Sequence, residues 1–204
     1  MSFKKLHPLL KESLENAGYE TSNPFQKKVL PILKGGSDAY IIAPKDSGKT
    51  TALIIATIHK LKAEAFEDSP RAVIIVKDKA DTLALKDEFE RFTKNTDLRV
   101  YALYDEYDIE KQKTEVYYGQ DIVIATPARL SKLYFLNGIH LGEIQLFVIE
   151  DADYVGRNNT YNLLLRLSES VGKSQFVIIA DAMSSKIKNY QNSFMSNAQL
   201  IEKK

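Results

Sequence analysis

Lys49 and Thr50 are the first residues in this chain whose types and spacing could do chemistry. They close the stretch Ala43-Pro-Lys-Asp-Ser-Gly-Lys-Thr50, which fits the pattern A/G-x-x-x-x-G-K-[ST]. A loop of that form surrounds phosphates with backbone N–H groups and the start of a helix. In it, Lys49 would reach the β- and γ-phosphates of ATP or a similar nucleotide, and the Thr50 hydroxyl would bind Mg2+. Lys45, Asp46, Ser47, Gly48 and Thr51 would complete the phosphate cradle. Asp46 works against this. A carboxylate about 6 Å from a phosphate charge is repelled by roughly 3 kcal/mol at an effective dielectric near 20, which weakens binding about a hundredfold. The penalty shrinks if Asp46 faces solvent or pairs with Lys45. Aspartate also tolerates unusual backbone angles, so the loop shape is expected to survive.

A second group lies about a hundred residues on. Leu146-Phe-Val-Ile-Glu-Asp-Ala-Asp153 reads as a buried strand ending in acids, in the manner of a Walker B element. Glu150 would hold Mg2+, directly or through water, and Asp151 would orient an attacking water. The bland alternative is that these are polar residues where a strand meets solvent.

The elements that must position these groups are short apolar runs alternating with helical patterns. Strands are expected at 39–43, 71–76, 99–104, 121–125, 144–150 and 175–180. Helices are expected at 7–19, 24–35, 48–66 and 81–95, and from Pro127, with Gly18 and Gly35 as helix stops. The strands are continuously apolar rather than alternating, which suits parallel strands covered on both faces. The fold class is therefore α/β: an open, doubly wound, mostly parallel sheet flanked by helices on both faces.

The bulk numbers are compatible with this. The 204 residues are 44% hydrophobic and 27% charged, ordinary values for one soluble domain. A net charge of +1 does not announce a nucleic-acid partner, so any such contact must come from a local patch. There is no cysteine, which excludes disulfides and thiolate metal sites. The three histidines show no ligand spacing. The start of the chain lacks the apolar core of a signal peptide, and no run is long enough to span a membrane. A cytoplasmic protein with no membrane partner is expected.

Several motifs, in this order, resemble the first RecA-like domain of a DEAD-box RNA helicase over nearly the whole chain. Gly18-Tyr-Glu-Thr-Ser-Asn-Pro-Phe-Gln26 resembles the Q motif, G-F-x-x-P-T-P-I-Q. The resemblance implies that Gln26 bonds the adenine edge, with Tyr19 in the same motif and Phe3 as the stacking aromatic. The loop at 43–50 resembles A-x-T-G-S-G-K-T. Thr126-Pro-Ala-Arg-Leu130 resembles the T-P-G-R motif that touches the RNA backbone, which implicates Thr126 and Arg129. Residues 148–153 resemble V-L-D-E-A-D, with the first two acids exchanged. The resemblance implies a single RecA-like P-loop NTPase domain over 1–204, with 1–36 as a helical lead-in. Lys49 and Asp151 are its catalytic candidates, and ATP and Mg2+ its cofactors. The family's second RecA-like domain, which supplies transition-state arginines and completes the RNA clamp, is not expected within these 204 residues. RNA and a second-domain or other protein partner are the expected partners, and the oligomeric state is open.

The departures gather at the same places. Asp46 replaces a glycine, Glu150-Asp151 inverts Asp-Glu, and Ala180-Asp181-Ala182 stands for Ser-Ala-Thr. Leu103-Tyr-Asp-Glu-Tyr-Asp108 stands where a Gly-Gly is expected, and 76–81 replaces P-T-R-E-L-A. In that last segment Lys77 and Lys79 could restore phosphate contacts or belong to a solvated loop. Thr126-Pro127 is equally a good helix start. Tyr101, Tyr104, Tyr107, Tyr117 and Tyr118 could form a stacking surface or line a sheet edge. Two functions follow: a weak ATP–Mg2+ site with slow or no hydrolysis and no unwinding alone, or an inactive pseudo-helicase that binds RNA or protein.

Overall fold

The computed structural model describes residue 3 and residues 6–157 and 159–203. In chain order the elements are α1 (Pro8–Asn16), α2 (Pro24–Gly35), β1 (Ala39–Ile42), α3 (Lys49–Lys60), β2 (Ala72–Ile75), α4 (Lys79–Thr93), β3 (Val100–Leu103) and α5 (Ile109–Tyr117). These are followed by β4 (Ile122–Ala125), α6 (Pro127–Phe135), β5 (Leu146–Ile149), α7 (Thr160–Glu169), β6 (Gln175–Ala180), α8 (Ser185–Asn189) and β7 (Gln199–Glu202).

Alternation of side chains along each strand explains the continuous apolar runs. Ile41, Ile74, Ile124, Val148 and Ile179 join a core with residues of α1 to α4. Their neighbours Ile42, Ile75, Val123, Ile149 and Ile178 join a second core with residues of α5 to α8. Both faces are covered, so every position must be apolar. Truncating one of these fully buried side chains, as in Ile74→Ala, is expected to cost about 2–5 kcal/mol.

The seven strands run in the order β3-β4-β2-β5-β6-β1-β7, and every pairing is parallel. The expected fold class is thus the one observed. One consequence matters for the site. β6 lies between β1 and β5, so the residue that follows β6 is flanked by those that follow its two neighbours.

Some boundaries differ from expectation. α3 stops at Lys60 rather than running to Phe66. Lys62 and Ala63 take left-handed angles, and their N–H groups bond His59 O and Ile58 O, a Schellman ending built without glycine. α4 starts two residues before Asp81, because the Asp78 side chain caps it by accepting from Asp81 N. Gly35 belongs to α2, and Gly36, at φ +80, carries the stop. Helices α5, α7 and α8 lie outside the expected set. Only Gln112 and Val116 of α5 are buried, so its sequence carries little periodicity.

Candidate functional site

The loop between β1 and α3 is shaped by two left-handed residues. Asp46 sits at φ +60 and Gly48 at φ +85. The first explains why a residue tolerant of that region is needed there, and aspartate meets the need. Asp46 is exposed and makes no hydrogen bond or ion pair with any described residue, Lys45 included. Gly48 cannot be replaced as easily. A Cβ there would stand 2.7 Å from Asn23 Nδ2 and 2.8 Å from Gln26 Nε2. Those two amides hold the loop: Asn23 Nδ2 donates to Ser47 O at 3.0 Å and Gln26 Nε2 to Gly48 O at 3.2 Å. The same pair forms the capping box of α2, in which Gln26 N donates to Asn23 Oδ1 and Asn23 N to Gln26 Oε1. The start of α2 and the phosphate loop are therefore one hydrogen-bonded unit. α3 itself begins at Gly48 with no side-chain cap, leaving its first N–H groups open to a ligand.

Lys49 and Thr50 project from the first turn of α3 toward the ends of β5 and β6. The Lys49 side chain is only 5% exposed. Its ammonium donates to Ala43 O at 3.0 Å, forms a close ion pair with Asp181, and lies 3.7 Å from Asp151. Thr50 Oγ1 donates to Glu150 Oε1 at 2.6 Å. Glu150 is buried, and its other oxygen, Oε2, has no hydrogen-bond partner among the described residues. Burial pushes its carboxyl up to about 7; the Thr50 hydrogen bond and Lys49 oppose that shift, while Asp151 and Asp181 add to it. Asp151 also takes the left-handed region, at φ +46, with its side chain 57% exposed toward the cleft. That cleft, about 370 Å3, is lined by Lys45, Asp46, Gly48, Lys49, Thr50, Thr51 and Asp151. It adjoins a second space of about 190 Å3 bounded by Thr50, Asp81, Glu88, Glu150 and Asp151 among others.

These residues fit a nucleotide with its metal. The orphaned Glu150 Oε2 and the buried, unpartnered Ser47 Oγ are polar atoms that lack a partner where metal and phosphate would supply one. Among the described residues no group of three or more His, Asp or Glu side chains could hold a metal by itself. That suits Mg2+, which takes one or two protein ligands and completes its shell with water and substrate phosphates.

The other expected residues are distributed more widely. Phe3 is 6% exposed, packed in the core with α1 to α4. The Tyr19 ring lies 5.8 Å from that of Phe92 on α4. Gln26 is buried, with its amide engaged on the loop as described. Thr126 caps α6 and donates to Asp105 Oδ2 at 2.8 Å. Arg129 is 4% exposed; its Nη2 donates to Asp105 O and to Tyr107 O, the latter at 3.0 Å, while Nε and Nη1 have no hydrogen-bond acceptor among the described residues. Lys77 pairs with Asp78 at 2.9 Å, and Lys79 lies over the Tyr104 ring at 5.2 Å. Tyr117 and Tyr118, strongly exposed, end α5 beside a separate cavity of about 510 Å3 that none of the phosphate-loop residues lines. Asn23 and Asp105 are the contacts that sequence reasoning missed. The capping-box spacing of Asn23 and Gln26 was a readable signal for the first.

Lys49, Thr50, Glu150, Asp151 and Asp181 all lie just beyond the carboxyl ends of β1, β5 and β6. That is where open α/β sheets place their ligands. Among the described residues no helix is long and apolar enough to cross a membrane. The chain is 30% identical over 205 aligned residues to the ATP-dependent RNA helicase RhlB of Yersinia pestis (strain Pestoides F), which covers 97% of this chain and 48% of that protein. The RhlB of Yersinia pseudotuberculosis serotype O:3 matches to the same extent. The chain thus spans about half the length of these curated relatives. Among solved structures, a DEAD box protein from the hyperthermophile Methanococcus jannaschii superposes with a TM-score of 0.91 at 21% identity, covering 100% of this chain and 56% of that one. An S. cerevisiae dbp5 variant bound to gle1 and ip6 gives 0.87 at 18% identity, over 98% of this chain and 51% of that one. The family described as DEAD/DEAH box helicase matches residues 23–190, most of the chain, and the chain belongs to that family.

Proposed function

We propose that this domain binds ATP with Mg2+ at the cleft between the α3 start and the ends of β5 and β6. On its own it hydrolyses ATP slowly or not at all and does not unwind RNA. The observation that carries the reading is the buried Glu150 carboxylate, bonded through one oxygen to Thr50 and unpartnered at the other, beside an uncapped helix start. Thr50 and Glu150 would hold the metal, which would neutralise phosphate charge. Lys49, Ser47, Gly48, Lys45, Thr51 and the backbone at Asp46 would hold the phosphates. Asp151, open to the cleft, would orient water, and Lys49 would stabilise the transferring phosphoryl group. Gln26 acts first by fixing the loop. Its use on adenine, with Tyr19 and Phe3 nearby in sequence, requires its Oε1 to exchange the bond from Asn23 N for one from the base.

The arginines of a second RecA-like domain, supplied by the rest of a longer protein or by a partner, are what rapid turnover would need. RNA would meet Thr126 and Arg129, with Lys77 and Lys79 at the rim. Asp105 already engages the first two, so RNA binding requires the 105–107 loop to give way.

Titration calorimetry with ATP–Mg2+ tests the reading. Saturable binding that Lys49→Ala abolishes supports it; no heat at millimolar nucleotide sinks it. That failure would favour the second reading, an inactive module that binds RNA or protein. The carboxylates already seated on Lys49, Thr126 and Arg129 argue for it.

A further inference from the structure

We propose that Asp181 is a built-in competitor for the nucleotide's phosphates, holding Lys49 until a phosphoryl chain displaces it and thereby grading ligands by phosphate charge. The inference rests on the nucleotide-binding reading above. Three observations carry it. Lys49 is 5% exposed, and a buried ammonium needs a counter-charge when no phosphate is present. Among the described residues the only carboxylates within ion-pairing distance are Asp181, in close contact, and Asp151, at 3.7 Å. The flanking Ala180 and Ala182 have no side-chain polar atom to share the position.

Topology fixes the contact. β6 lies between β1 and β5, so position 181 opens directly between the loop after β1 and the acids after β5. Its backbone is tethered there, with Asp181 N donating to Asp153 Oδ2 at 3.3 Å. The two partners differ in freedom. The Asp181 side chain is 35% exposed, whereas Lys49 is enclosed. An arriving phosphate therefore keeps Lys49 in place and turns the carboxylate out to water, where its charge is readily solvated. A ligand that reaches Lys49 with more negative charge competes better, and one that stops short of Lys49 does not compete at all.

The experiment is calorimetric titration of the full chain and of Asp181→Ala and Asp181→Asn with ATP–Mg2+, ADP–Mg2+ and AMP. Thermal melts of each protein confirm folding. Asp181→Asn keeps the shape and removes the charge, so it stands in if the alanine variant fails to fold. The expected result is tightening for ATP of about tenfold or more in both variants. The gain is smaller for ADP and absent for AMP. Unchanged or weakened ATP binding in a folded variant overturns the inference while the wild-type affinity leaves the nucleotide reading intact. Equal tightening for all three ligands also overturns it, since charge would not be what is graded. No binding by the wild type or either variant overturns both.

Discussion

At the amino ends of the strands, Asp121 receives hydrogen bonds from Arg71 Nη2, Arg99 Nε, Arg99 N and Phe66 N, at 2.6 to 3.0 Å. At the carboxyl ends, Glu150 receives one, from Thr50, and keeps an oxygen with no partner. Both carboxylates are buried, yet they are held in opposite states. Burial pulls Asp121 upward, but the hydrogen bonds from Arg99, Arg71 and Phe66 outweigh it and hold the group below the usual carboxylate range. For Glu150 burial prevails, and the carboxyl rises to about 7. One end of the sheet is electrostatically finished; the other is left incomplete, as the proposed nucleotide site requires.

The largest test of that contrast is Asp121→Asn, which leaves Arg71 buried without its counter-charge. A loss of about 3–5 kcal/mol in denaturant unfolding is expected; a loss below about 1 kcal/mol would erase the distinction. Next is Gly48→Ala, whose Cβ meets the two amides that hold the loop and whose φ of +85 is strained for alanine. It should cost about 2 kcal/mol of stability and most of the nucleotide affinity, as measured by melts and titration on the same sample.

Glu150→Gln should behave in the opposite sense to Asp121→Asn. Because the folded-state carboxyl of Glu150 is raised, its contribution to stability is full below pH 4.5 and is lost as pH rises through about 7. At pH 8 the glutamine variant should equal or exceed the wild type, by about 1 kcal/mol or less, while Mg2+-dependent nucleotide binding falls. Asp121, depressed, contributes above its unfolded value of 3.8 and loses that contribution as pH falls. Only the Asp121 variant should flatten the acid limb of a stability–pH profile. A small effect, on affinity rather than stability, is expected of Asp46→Gly. Asp46 is exposed and screened, so affinity for ATP–Mg2+ should tighten by about 1 kcal/mol, less than the unscreened Coulomb repulsion. Tightening of about 3 kcal/mol would mean that the carboxylate faces the phosphates.

The contrast also divides what could be read from the sequence. Continuous apolar strands carry a local pattern from which the fold followed, and the Gly48-Lys49-Thr50 run and the acids after Ile149 marked the candidate site. Asp121 meets Arg71 and Arg99 across 50 and 22 positions, and Lys49 meets Asp181 across 132. No spacing rule encodes such pairs; the strand order does. Phe3 shows the same limit from the other side: an aromatic at a plausible distance from Gln26 in sequence packs into the core beneath α1 to α4.

The shared amides of Asn23 and Gln26 make the beginning of α2 a reporter of the loop. The Gln26 N–H is bonded to Asn23 Oδ1, and the same two side chains grip Ser47 O and Gly48 O. Fraying of α2 at its first turn and opening of the phosphate loop are then one kinetic event. Hydrogen exchange at that single amide would record loop opening from the helix that precedes β1.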